Sequence, residues 1–466
     1  MKQIIYPKRI VKSDKVTDAK NLLVKKDEQI DLYEPILTRV EEGGYIILDF
    51  GKEMCGGIRI LTQASSMGEI RVRFGESLSE CCAELGGKTN ATNDHSPRDE
   101  KHFLPRYSNL RIGETGFRFV RIDFFCKAAV KSVFVENNIY KKPMIYRYKG
   151  EDKLIKKIFD ASKRTGDLCA SSGLFWDGVK RDRLVWGGDL VYGSLGLTAI
   201  YGRTDVVENT IDYIREHSPL PYWTNIHYFG GSFMWIIAVA NYLIETGAEE
   251  FTKKQVPYIK GLVGQMNKHV GENGEWKYPE SLFDWSAKDN VSDSLSGLRA
   301  THILAMRAAA YLFDKFGEDS SEARDIEKRL LKVEMPVESS KGALAIKHFA
   351  VGLTEEEKQK LVAGGAKNFP ASLSYFILTA ITSFDKQKAI DTMKEYFGAM
   401  LNIGATTFWE YFDIEWLSGS SRIDRLPRKW QKDLHGDHGK ECFVGFRNSL
   451  CHGWGASILR FIKETC

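Results

Sequence analysis

Four segments in the second two-thirds of the chain are apolar at nearly every position. They are DLVYGSLGLTAIYG (189–202), GGSFMWIIAVANYLIETG (230–247), LSGLRATHILAMRAAAYLF (295–313) and ASLSYFILTAIT (371–382). A helix that is apolar on every side has to be covered on every side. Between these segments lie helices with only one apolar face. RTDVVENTIDYIREH aligns Val207, Ile211 and Ile214 behind a Thr204 cap, SEARDIEKRLLKV aligns Ala323, Ile326, Leu330 and Val333, and DKQKAIDTMKEYF aligns Ile390, Met393 and Phe397. This alternation is what a double ring of αα-hairpins requires, with an inner ring buried all round and an outer ring showing one face to water. About ten to twelve helices over some 320 residues suit a six-hairpin toroid. An α-solenoid is the competing arrangement, but no motif recurs at a fixed period.

Before residue 145 the hydrophobic period is different. YIILDFG (45–51), GIRILTQ (57–63), EIRVRFGE (69–76), FRFVRIDFF (117–125) and KSVFVE (131–136) are short runs of β-branched and aromatic residues. Several alternate apolar with polar, and glycine-containing turns separate them. The pattern predicts an antiparallel β-sandwich over 1–145, followed by an (α/α)6 toroid over 146–466. The polar run 77–106 reads as a long surface connection carrying little structure.

A chain of 466 residues exceeds one ordinary core, which agrees with two domains. Its formal charge of +4 gives no reason to expect nucleic acid, and no apolar run reaches the roughly 18 residues that span a bilayer. The first residues, MKQIIYPKRIVKSDK, contain no apolar signal core, so a cytoplasmic protein is expected. Eight cysteines without a CxxC spacing read as free thiols of a reducing compartment. The histidines show no HxH or HExxH spacing, so neither a metal nor another cofactor is expected. Oligomeric state is left open.

One stretch, FWDGVKRDRLVWGGD (175–189), combines aspartates, cations and two tryptophans just before a buried helix. A surface loop seldom uses two tryptophans, and a core segment avoids unpaired carboxylates. A polar pocket with aromatic walls, such as a sugar site, accommodates both. Gly178, Gly187 and Gly188 argue for a loop over a helix here. The plainer reading is a salt-bridged loop in which Asp182 pairs with Lys180 or Arg183. Three further clusters place polar groups beside tryptophan: GATTFWEYFD with Glu410 after Trp409, SLCHGWG with His452 near Trp454, and SLFDWSAKD with Asp284 and Trp285. A carboxylate beside aromatic surface is partly desolvated, which raises its pKa and suits it to acid–base work.

In order and spacing these motifs resemble those of the bacterial α-L-rhamnosidases, glycoside hydrolase family 78. WGGD (186–189) is similar to the family's Trp–x–Gly–Asp element, and Asp182 stands four residues before that Trp, where the family carries its general acid. TTFWE is similar to the element carrying the general base, which falls on Glu410. SLCH is similar to a Ser–Leu–x–His sugar contact and assigns it to His452. The resemblance extends through ILDFGKEMCGGIRI, RVRFGESL and GFRFVRI to the sandwich that precedes the barrel in these enzymes. It implies an inverting hydrolase of terminal α-L-rhamnosides, with Asp182 as acid and Glu410 as base. Asp177, Asp189 and Asp284 would meet sugar hydroxyls, Lys180 or Arg181 would balance their charge, and Trp186, Trp235, Trp285 and Trp409 would wall the ring. Three departures stand out. Aspartate replaces the usual glutamate at the acid position. DGVKR replaces Asp–Cys–Pro–x–Arg, so Asp177 and Lys180 align only with a one-residue shift. There is also no room for the β-domain that normally follows the barrel. Other readings remain: a six-hairpin glycosidase acting on uronides or arabinosides, a sugar-binding relative without activity, and a toroidal scaffold.

Overall fold

The computed structural model describes residues 2–63, 67–87, 90–94, 96–224, 228–279 and 282–466. Seven strands come first: β1 (Lys2–Ile5), β2 (Arg9–Thr17), β3 (Thr38–Thr62), β4 (Gly68–Gly75), β5 (Asp99–Leu104), β6 (Asn109–Phe124) and β7 (Ala128–Asn138). The registers explain how one set of strands makes two layers. The first half of β3 (Tyr45–Asp49) pairs with β2 and with Phe119–Asp123 of β6, and β6 then carries β4 and β5. The second half of β3 pairs with Asn109–Phe117 of β6 and with β7, which carries β1. The two long strands therefore belong to both layers, and they cross between them at the register break after Asp49. Alternating side chains of both layers, among them Leu48, Phe50, Ile58, Val72, Phe74, Phe117, Val120 and Val133, meet in one core.

The run 77–106 is not the bare surface loop that its polarity suggests. It contains helix α1 (Leu78–Cys82) and strand β5, and Glu80, Arg98 and Asp99 are buried. Its charged residues can be buried because they pair inside the fold. Arg71 grips Asp99 through two nitrogens, and Arg98 donates to backbone carbonyls of Phe74 and Ala83.

The remaining helices are α2 (Lys153–Cys169), α3 (Gly187–Tyr201), α4 (Asp205–Glu216), α5 (Phe229–Thr246), α6 (Glu249–Lys253), α7 (Val256–Asn267), α8 (Val291–Phe316), α9 (Ser321–Leu330), α10 (Lys341–Val351), α11 (Glu355–Val362), α12 (Ser374–Thr382), α13 (Lys386–Asn402) and α14 (Ile458–Thr465). Helices α3, α5, α8, α10, α12 and α14 each touch the next, and α14 returns to α3. They form a closed inner ring. Gly196 is needed at that closure, because a Cβ there would stand 2.1 Å from the Ala456 carbonyl oxygen. The four all-round apolar segments supply α3, α5, α8 and α12 of this ring, α10 and α14 complete it, and α2, α4, α7, α9, α11 and α13 lie outside it. Thr204 caps α4 by accepting from the Val207 N–H, and Val207, Ile211 and Ile214 are buried as their spacing predicts. No described helix is long and apolar enough to cross a membrane.

Each hairpin runs outer helix first. The loops that precede the inner helices, at 170–186, 217–228, 268–290, 331–340, 363–373 and 403–457, therefore gather at one end of the ring. The sandwich is fastened to two of these loops. Thr115 donates to the Lys180 carbonyl (3.1 Å), Arg118 donates to the Gly404 carbonyl (3.0 Å), and the Glu53 N–H donates to Thr406 (2.9 Å).

Candidate active site

At that loop end lies a cavity of about 290 Å³. Drug-sized ligands take pockets of about 300–1,000 Å³, so this one suits a single sugar ring. Nine of the residues singled out in the sequence line it: Asp177, Arg181, Asp182, Trp186, Asp189, Asp284, Trp285, Glu410 and His452. They come from three loops, at 170–186, 268–290 and 403–457, and from the first turn of α3, so residues far apart in the chain meet here.

Arg181 organises the polar wall. One terminal nitrogen, Nη2, donates to both carboxylate oxygens of Glu410 (3.0 and 2.7 Å), and the other, Nη1, donates to Asp182. Asp182 thus pairs with Arg181, not with Lys180 or Arg183. Arg183 lies over the Trp176 ring (5.1 Å) and donates to the Val179 carbonyl. Asp182 and Arg183 both hold left-handed backbone, with φ of 62° and 53°. Two successive non-glycine residues there cost on the order of 1–3 kcal/mol each, a strain that clusters at functional sites. The turn is what lets Asp182 and Arg181 present their side chains to the same wall.

Glu410 also accepts from the Ser449 N–H (3.0 Å). Burial raises its pKa and the Arg181 charge opposes the rise. Asp189, in the first turn of α3, is pushed up to about 7 by burial and by the charge of Glu410. Asp177 is raised well above the usual carboxylate range by burial and by the charge of Asp189, although its Oδ1 accepts from the N–H groups of Gly178 (2.7 Å) and Leu184 (2.9 Å). His452 lies between the two acids, with Nδ1 3.7 Å from Asp189 and Nε2 3.8 Å from Glu410. Burial and the Arg181 charge hold its pKa well below the ordinary value, so the imidazole is neutral. Asp189 Oδ1 and His452 Nδ1 are buried without a hydrogen-bond partner among the described residues. A sugar hydroxyl can donate to one and accept from or donate to the other.

Aromatic rings close the other side. Trp186 meets Tyr228 edge-on (6.1 Å between ring centres), Trp285 meets Phe443 (5.5 Å), and His452 rests against Trp454 (3.8 Å). Ser372 donates to Asp284 (2.6 Å).

Three residues expected at the sugar do not line the cavity. The Lys180 ammonium points into the sandwich interface, where it meets Glu76 (3.1 Å), Glu80 (3.2 Å) and the carbonyls of Phe446 and Asn448 (2.7 Å each). Neighbouring side chains in this turn point to opposite sides, so Arg181 reaches the cavity and Lys180 cannot. Trp235 is fully buried; its indole faces the outer ring, donating to the Ile211 carbonyl and lying edge-on to Tyr258. Trp409 is buried against Phe412 on the opposite side of the backbone from Glu410. Conversely, the sequence reading passed over Tyr192, Tyr228, Met234, Phe283, Ser372 and Cys442, and it named Trp454 only as the neighbour of His452. Tyr192 had a signal, since it sits three residues after Asp189 and so shares its helical face. The others depend on tertiary placement.

No protein-family model matches the chain, and no curated protein matches it in sequence. Solved structures do match. A rhamnosidase from Klebsiella oxytoca with rhamnose bound superposes over 100% of this chain and 96% of its own, with a TM-score of 0.74 and 20% identity. A family 78 rhamnosidase of Bacillus sp. GL1 covers 95% of this chain and 48% of its own (TM-score 0.66, 19% identity). A Streptomyces avermitilis α-L-rhamnosidase complexed with L-rhamnose covers 98% and 43% (TM-score 0.63, 13% identity). The chain thus spans nearly all of the first relative and about half of the other two. It has the fold of the family 78 α-L-rhamnosidases, a β-sandwich set against an (α/α)6 toroid.

Proposed function

We propose that the protein is an inverting glycoside hydrolase that removes terminal α-L-rhamnosyl residues. The observation that carries this reading is the pair of carboxylates, Asp182 and Glu410, held on the two ends of one guanidinium at the wall of a one-sugar cavity. Their environments divide the roles. The Asp182 side chain is 20% exposed and stands toward the mouth, where an aglycone leaves, whereas Glu410 is 8% exposed and lies deeper. Asp182 gives its proton to the glycosidic oxygen as that bond to the anomeric carbon breaks. Glu410 takes a proton from water, whose oxygen bonds to the same carbon from the opposite face. Exchange with solvent then restores both groups. Arg181 meets Glu410 with two contacts and Asp182 with one, and its charge opposes the rise that burial imposes on the Glu410 pKa.

Asp177, Asp189, Asp284 and the neutral His452 receive the sugar hydroxyls, and Trp186 and Trp285 with Tyr228 face the apolar side of a 6-deoxy ring. Among the described residues Arg181 is the lining's sole lysine or arginine, and its charge is already met by two carboxylates. That weighs against a uronide, whose own carboxylate needs a free cation. Eight free thiols, five of them buried, support a cytoplasmic setting.

The test is turnover of an aryl α-L-rhamnoside beside aryl arabinosides, glucosides and uronides, with proton NMR on the earliest product. The rhamnoside should be preferred, and the β-anomer should form first, as expected for carboxyls about 6.5–9.5 Å apart. Rhamnose binding without turnover would instead mark a non-catalytic relative, and an α-anomer formed first would mark a retaining enzyme.

A further inference from the structure

We propose that Glu76, a residue of the sandwich, is a positioning residue for Glu410. This rests on reading Glu410 as the base. Glu410 and Tyr411 are zipped to Asn448 and Ser449: the Glu410 N–H donates to the Ser449 carbonyl (2.8 Å), the Tyr411 N–H donates to the Asn448 side chain (3.1 Å), and Asn448 Nδ2 donates back to the Tyr411 carbonyl (2.9 Å). The Ser449 N–H then binds the Glu410 carboxylate itself. The far side of this segment is held by the sandwich. Glu76, which follows β4 directly and is fully buried, accepts from the Leu450 N–H (2.6 Å) and from the Ser449 hydroxyl (3.4 Å).

Two further groups secure the same segment. Lys180 donates to the carbonyls of Phe446 and Asn448 while its charge meets Glu76 and Glu80. His435 donates from Nε2 to the Asn448 carbonyl while its Nδ1 accepts from Ser77 (2.8 Å). Glu76, Glu80 and His435 lie close enough together to hold a cation, but the Lys180 ammonium already stands between the two carboxylates. The cluster is therefore a clamp, and its load is the segment that aims Glu410. A carboxylate is specifically suited to the central place. Ionised Glu76 accepts the Leu450 N–H and the lysine at once and shares the Ser449 hydroxyl with the Cys451 carbonyl (3.2 Å), whereas a glutamine would turn an N–H₂ toward one of those donors.

The test is Glu76→Gln in the full chain, with L-rhamnose binding by calorimetry counting the competent sites. Affinity should stay within about twofold and stoichiometry near one, while kcat per competent site falls at least tenfold. A crystal structure of the variant should show the Glu410 carboxylate displaced from the Ser449 N–H. A mere loss of folded protein would lower stoichiometry and leave kcat per competent site unchanged. That result, or a Glu410 that has not moved, would overturn the proposal. Should Glu76→Gln fail to fold, Glu76→Asp, which keeps the charge and shortens the reach to Leu450, is read the same way. If the unaltered enzyme turns over no rhamnoside, the functional reading fails on its own, and the position of Glu410 in the variant crystal still decides for or against the clamp.

Discussion

Asp182 carries the shorter acid side chain, and the strained turn beneath it brings that carboxyl to the wall that Arg181 shares with Glu410. If it is the proton donor, Asp182→Asn should lower kcat by roughly 10²–10⁴ on alkyl leaving groups, the usual worth of general acid catalysis. The loss should be much smaller on a nitrophenyl leaving group, which needs little protonation. Equal losses across leaving groups of very different pKa would make Asp182 a binding residue. At this scale the sequence was informative wherever a residue type is tied to chemistry. Asp182, Glu410 and His452, singled out by tryptophan neighbours and by their resemblance to family motifs, all line the cavity. Lys180, Trp235 and Trp409 could not be placed, because the direction of a side chain in an irregular turn, or on a helix buried on both sides, is set by what packs there. Periodicity carries no information where every face is apolar.

Among the elements, the inner helices were the most legible, because an all-round apolar helix has few places to be. The 77–106 run was the least legible, because polar residues that pair internally read the same as solvated ones. Lys180 shows the difference in energetic terms. Its ammonium is buried against Glu76 and Glu80 and satisfies two carbonyls of the 445–450 segment. Removing one partner of a buried ion pair costs roughly 3–5 kcal/mol, because the remaining charges stay buried and unpaired. Lys180→Met should therefore lower the unfolding free energy measured in urea by an amount of that order, seen as a lower midpoint. A sugar-binding lysine would instead leave the midpoint in place and weaken rhamnose binding.

For the whole molecule, the buried titratable groups set how stability follows pH. Glu76 and Asp189 are pushed up to about 7, and Asp177 and Glu53 are raised well above their ordinary values, in each case first by burial. Between the unfolded carboxylate value of about 4 and these raised folded values, the native state binds more protons than the unfolded chain, so these groups make stability fall as pH rises. The buried histidines act the other way. His302 is lowered to about 3, His435 to about 4, and His452 well below its ordinary value, so each adds stability as pH rises toward the unfolded value of about 6.5. Below about 6.5 the two sets oppose each other; above it the histidine contribution fades, and Lys341, lowered by burial to about 8, begins to add stability only as pH approaches and passes that value. The melting temperature should fall between pH 6.5 and 8, and calorimetric scans across that range check it. A flat or rising melting temperature would mean that these carboxyls are ionised in the folded protein well below pH 6.5.

The closure of the ring, α14 against α3, also has a consequence in time. Asp182 and Asp189 belong to the loop and helix that open the ring, and Glu410 and His452 to the long loop that precedes its closing helix. Contacts between the ends of so long a span are slow to form, since most of the chain must be ordered before they are rewarded. A nascent or refolding chain with five hairpins in place has Trp186, Tyr228 and Trp285 but lacks Phe443 and Trp454, and it holds Asp182 and Glu410 apart. On the function proposed above, an incompletely folded chain should therefore carry no partial activity, and rhamnoside turnover during refolding should appear only with the last phase of folding.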